Sequence, residues 1–103
     1  LTQEFANHLS DYLKEKCFET RRSFIIEGTM RNEEVSVSTA VDAHRHGYKV
    51  HAHVIACPFE ESLCRSYLRY LDNVLVKGFG RYSNLRIQKQ AFVNVPRTAD
   101  ALL

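Results

Sequence analysis

Glu27, Gly28, Thr29 and Arg31 fall within five positions, directly after the apolar run "FII". A carboxylate, a hydroxyl and a guanidinium packed into so few positions suit a ligand-binding edge. The same positions also suit an ordinary turn, with Gly28 for backbone freedom and Thr29 or Asn32 as a helix cap, although turn chemistry leaves Glu27 unexplained. A second set is cationic. Arg65 and Arg69 lie four residues apart on one helical face, and Arg81 follows the glycine-flanked segment in "KGFGR". Two readings compete for these arginines. One is local ion pairing, Glu61 with Arg65 and Asp72 with Arg69. The other is a clamp by Arg69 and Arg81 on phosphate oxygens, which the planar guanidinium fork suits.

These groups need elements to hold them. Phe5, Leu9, Tyr12, Leu13 and Cys17 recur at helical spacing, so residues 2–19 read as an amphipathic helix. Residues 23–27 read as a short strand, apolar on both faces. Asn32 can cap the next helix, with Glu33 and Glu34 at its positive end, Val37, Ala40, Val41 and His44 inward, and Gly47 as its stop. "YKVHAHVIA" reads as a second strand. Pro58 opens a long helix over 58–76 whose buried stripe is Leu63, Tyr67, Leu71 and Leu75. The order helix, strand, helix, strand, helix predicts an α/β fold, in which parallel strands joined by helical crossovers carry the ligand at their carboxyl ends. Glu27, Thr29 and Arg31 then stand on that binding edge.

As a set, "FIIEGTMR", Thr39 in the following helix, "GYKVHAHVIACPFEESLCRSYLRY" and "GFGRY" resemble the zeta-toxin family, the P-loop kinases of toxin–antitoxin systems. "NVPRTADAL" is similar to the family's closing helical stretch. The resemblance implies a three-layer αβα kinase fold of which residues 1–103 are a single C-terminal portion. It implies a cytoplasmic toxin that phosphorylates UDP-N-acetylglucosamine with ATP and Mg2+, and a possible antitoxin partner. It also implies roles for individual residues: Glu27, Thr29, Arg31 and Thr39 bind the sugar nucleotide, while Arg69 and Arg81 hold ATP phosphates and act in catalysis. Two family features are missing from the chain. There is no GxxxxGK(S/T) loop to cradle phosphates and bind magnesium through its hydroxyl, and the catalytic aspartate that follows that loop is absent with it. Gln88 and Lys89 stand where many members have a His-Asp pair, a departure compatible with a divergent or inactive member.

Composition narrows the other classes. The 103 residues are 45% hydrophobic and 25% charged, enough for one domain and too few for two. A net charge of +2 is too mild to argue for a dedicated nucleic-acid surface, so nucleic acid is not the expected partner. A basic and aromatic module using Arg65, Arg69, Arg81 and Arg86 with Tyr67, Tyr70, Phe79 and Tyr82 is the alternative, as is an inactive remnant of the fold. No run approaches the roughly 20 apolar residues of a membrane span, and the first ten residues lack the shape of a signal peptide. Cys17, Cys57 and Cys64, odd in number and set in apolar patterns, suit reduced thiols. His44, His46, His51, His53, Cys57 and Cys64 cluster in sequence, but without a CxxC or HExxH spacing no metal is expected.

Without the phosphate loop or the general base, residues 1–103 alone are expected to show no turnover with ATP and UDP-N-acetylglucosamine. Phosphorylated sugar formed by the purified chain, free of contaminating kinases, would contradict that expectation.

Overall fold

The computed structural model describes residues 2–103, and four helices account for its regular structure: α1 (Gln3–Thr20), α2 (Glu33–Arg45), α3 (Phe59–Lys77) and α4 (Leu85–Leu102). The caps explain most of these boundaries. Thr2 accepts a hydrogen bond from the Phe5 amide, Asn32 from Val35 and Asn84 from Ile87, each satisfying one of the free amides of a first turn. At the end of α2, Gly47 takes φ 81°, and the Gly47 and Tyr48 amides donate to the His44 and Ala43 carbonyls, closing a Schellman turn. The end of α1 uses the same turn with Arg21 at φ 53°, a conformation that costs an L-residue about 1–2 kcal/mol.

The α/β expectation is overturned: no strand occurs among the described residues, so there is no parallel pair, no crossover and no three-layer sheet. Residues 22–32 and 48–58 are neither helix nor strand. An apolar run becomes a strand only when a neighbouring backbone takes its amides and carbonyls, and neither segment has one. Their side chains are correspondingly open, with Ile25 97% and Ile55 91% exposed.

The helices do not build the expected core either. Leu9, Leu13, Tyr67 and Leu75 are all exposed, and only Ala43 and Thr98 are buried among the described residues. The accessible surface of 8942 Å² exceeds the roughly 5,900 Å² of a compact chain of this mass. The radius of gyration, 15.9 Å, exceeds the roughly 13 Å of a compact chain of this length.

Packing centres on α4, which lies against α2 and more lightly against α3. Asn94 Nδ2 donates to the Arg31 carbonyl at 3.1 Å, and Thr98 Oγ1 donates to the Met30 carbonyl at 2.9 Å. Met30 itself is left-handed, at φ 51°. Helix α1 is held by an aromatic knot. Phe18 stacks on His46 at 4.2 Å and meets Phe24 and Tyr48 edge-on, while the Tyr48 hydroxyl donates to the Cys17 and Arg22 carbonyls.

Thr98→Val keeps the shape of the side chain and strands the Met30 carbonyl, so it should destabilise the chain by about 1–3 kcal/mol. Thr98→Ser, which retains the hydroxyl, should lose less. Urea titrations of the three proteins decide, and equal midpoints for wild type and Thr98→Val would remove this bond from the account.

Candidate functional site

Glu27, Gly28, Thr29 and Arg31 lie in the segment between α1 and α2, and the side chains of Glu27, Thr29 and Arg31 are exposed. That segment ends at the Asn32 cap, and the carbonyls of Met30 and Arg31 are tied down by α4. Gly28 does not take a positive φ and has open space around it, so neither strain nor crowding requires glycine there. Thr39, half-buried on α2, is one turn before Ala43 and shares its face. No hydrogen bond or ion pair joins Glu27, Thr29, Arg31 and Thr39 among the described residues, and none of the four lines either principal cavity.

Those cavities lie elsewhere. An open groove of about 740 Å³ runs along α2 between Asn32 and Arg45. A smaller one of about 370 Å³ is bounded by Val50–Val54 and the end of α4. His51 and His53 line the second, whereas His46 is stacked on Phe18 and its Nδ1 donates to the Asp42 carbonyl at 2.7 Å. Among the described residues no group of three or more His, Cys, Asp or Glu is placed to hold a metal ion, and the three thiols are free.

The arginines separate into two kinds. Arg65 pairs with Glu61 one turn earlier, as the local reading expects. Arg69 does not pair with Asp72, and neither Arg69 nor Arg81 forms an ion pair among the described residues, although both are exposed. The turn after α3 brings their backbones together. Gly78, at φ 78°, ends the helix and reverses the chain. Gly80 then lies so close to α3 that a Cβ on it would stand 2.8 Å from the Tyr70 carbonyl oxygen and 2.9 Å from the Tyr70 ring. Tyr70 follows Arg69 and Gly80 precedes Arg81, so one residue on each side of this contact carries an unpaired guanidinium.

Sequence reasoning singled out both arginines but not the contact at which their backbones meet. Gly80 and the packed trio Tyr67, Tyr70 and Tyr82 were assigned no such role. The available signal was the helical spacing of Tyr67 and Tyr70 together with the two glycines of "KGFGR".

With no carboxylate partner to lose, Arg69→Ala and Arg81→Ala should each change folding stability by less than about 0.5 kcal/mol. Chemical denaturation measures this. A loss above about 1 kcal/mol for either variant would assign that arginine to the scaffold.

The family model described as Zeta toxin matches residues 1–103, the whole chain. No curated protein and no solved structure matches it.

Proposed function

The chain belongs to the zeta-toxin family, and we propose that it supplies the phosphate clamp and sugar-nucleotide contacts of an ATP-dependent kinase acting on UDP-N-acetylglucosamine. The observation that carries this reading is the pair Arg69 and Arg81, both exposed and without an ion-pair partner among the described residues, on backbones that meet at the Tyr70–Gly80 contact. Phosphoryl transfer is mainly positioning and neutralisation of charge spread over the phosphate oxygens. Two planar forks on neighbouring backbones can donate several N–H groups to those oxygens without either being drawn to a protein carboxylate.

The donor set fits ATP in part. Arg69 and Arg81 suit its phosphates, and ATP when bound would supply the phosphoryl group. Magnesium finds no ligand cluster among the described residues, and the sequence lacks the P-loop hydroxyl that would hold it. No general base is assignable either, so these residues bind and orient rather than move the proton. In this reading residues 1–103 are the C-terminal portion of the kinase, with the phosphate loop and base encoded elsewhere. Glu27, Thr29 and Arg31, with Thr39 on α2, are assigned to the sugar nucleotide by the family resemblance, and a carboxylate, two hydroxyls and a cation suit that role. The toxin family supports a cognate antitoxin as a protein partner.

A surface for single-stranded nucleic acid is less well supported. Tyr67, Tyr70 and Tyr82 turn their rings on one another, with centroids 5.7–6.4 Å apart, rather than spreading them as a stacking track.

In the full-length gene product, Arg69→Ala or Arg81→Ala should each cost about 2–4 kcal/mol of transition-state stabilisation, the scale for deleting one donor in a closed site. Steady-state kinetics with ATP and UDP-N-acetylglucosamine give the number, and normal turnover in both variants would end the clamp reading. Glu27→Gln should weaken sugar-nucleotide binding in titration calorimetry and leave ATP affinity nearly unchanged. Unaltered binding with an early thermal melt would make Glu27 a structural residue instead.

A further inference from the structure

The segment after α3 is fastened to the helix at two points, one on each side of Arg81. At Gly80 the backbone rests on Tyr70, and a Cβ there would also come within 3.1 Å of Val74 Cγ2. Two of these approaches are closer than side-chain atoms tolerate, and one of them is to backbone, which cannot swing aside. At Tyr82 the ring closes a cluster with Tyr67 at 6.0 Å and Tyr70 at 5.7 Å, in the edge-on and tilted arrangements that aromatic quadrupoles favour. No hydrogen bond involves the three phenol groups among the described residues, so the rings hold the turn by contact.

Consecutive Cα atoms are about 3.8 Å apart, so seating residues 80 and 82 leaves the backbone of residue 81 little freedom. Residue 69 is equally fixed, since it lies inside α3 next to Tyr70. We propose that Gly80 and the tyrosine trio Tyr67, Tyr70 and Tyr82 are positioning residues that fix the backbone of Arg81 relative to that of Arg69, so that both guanidinium groups reach the phosphates of one nucleotide. The inference rests on the phosphate-clamp reading above and adds the device that makes the clamp rigid. Two exposed arginines on separate flexible segments would lose much of their value as ligands through ordering. With both backbones anchored they need only side-chain ordering, and a shift of about 1 Å between them is enough to matter.

The test measures ATP affinity by titration calorimetry on the full-length gene product, with a thermal melt of each variant. Gly80→Ala should raise the ATP Kd about tenfold to a hundredfold. Tyr82→Ala should do the same, while Tyr82→Phe, which keeps the ring, should bind as wild type does. In an Arg81→Ala background neither Gly80→Ala nor Tyr82→Ala should weaken ATP further, because a positioning residue acts only through the group it positions. If the losses instead add fully in that background, the turn serves general folding and the inference fails. If Arg81→Ala weakens ATP while Gly80→Ala and Tyr82→Ala leave affinity intact, the inference also fails and the clamp stands. If Arg81→Ala itself binds ATP normally, the clamp fails and takes the positioning role with it. Should Gly80→Ala not fold, the Tyr82→Ala and Tyr82→Phe pair answers the same question.

Discussion

The bond from Thr98 to the Met30 carbonyl is the constraint on which the arrangement of the chain turns. Thr98 is the one fully buried side chain among the described residues, and its hydroxyl reaches 68 residues back to a carbonyl whose own residue is left-handed. Left-handed Met30 costs roughly 1–2 kcal/mol, comparable to what a buried carbonyl loses when left without a donor. One hydrogen bond therefore stabilises a backbone conformation that the local sequence would not choose. With Asn94 taking the next carbonyl, the segment carrying Glu27, Thr29 and Arg31 is pinned just before α2 begins, and α4 serves as the spine for both.

Around that spine the chain is thinly packed. Its surface exceeds that of a compact chain by about half, and most of the apolar stripe residues of α1 and α3 remain exposed. At about 25 cal/mol per Å², an uncovered area of this size forgoes a stabilisation far larger than the net stability of an ordinary domain. The helices persist through local devices instead: side-chain caps at three amino termini, glycine or glycine-like turns at the ends, and the Phe18–His46–Tyr48 knot. These devices fix where elements start and stop. They do little to fix one element against another, which is why the few long-range bonds matter so much.

The division between what could and could not be read from the sequence follows the same line. The caps at Asn32 and Gly47, the start after Pro58 and the three helices are local properties, and local pattern reported them within a residue or two. The two strands were misread because Ile25–Ile26 and Val54–Ile55 have strand-like side chains, while strand formation is decided by a second backbone that pattern cannot see. Of the helix Leu85–Leu102, only the closing stretch "NVPRTADAL" was visible as helical, and that through the family resemblance alone. Its own periodicity, Leu85, Gln88, Phe92, Val95, Ala99 and Leu102, is regular, but Pro96 inside it argues against a helix by removing an amide and crowding the preceding turn. At the candidate site, residue types were legible and adjacency was not. Arg69 and Arg81 are 12 positions apart, and what brings them together is the left-handed Gly78 followed by the close seat of Gly80.

The contrast between Arg65 and Arg69 sharpens the chemical reading. Both lie on α3 one turn apart, where like charges disfavour a helix by a few tenths of a kcal/mol. Arg65 is neutralised by Glu61, so its charge is spent within the helix. Arg69 has Asp72 within reach of a helical pair yet does not take it, and the turn then seats the backbone next to Arg81 on the helix, where Arg81 also forms no ion pair among the described residues. Local electrostatics alone would favour the Arg69–Asp72 pair and a turn that carried Arg81 away. Two unpaired guanidinium groups on backbones that meet in this way keep their donors available, which is the basis of the proposed phosphate clamp. On the proposed clamp, the tyrosine-backed turn matters for the same reason: it holds the backbone that carries Arg81 against the helix that carries Arg69.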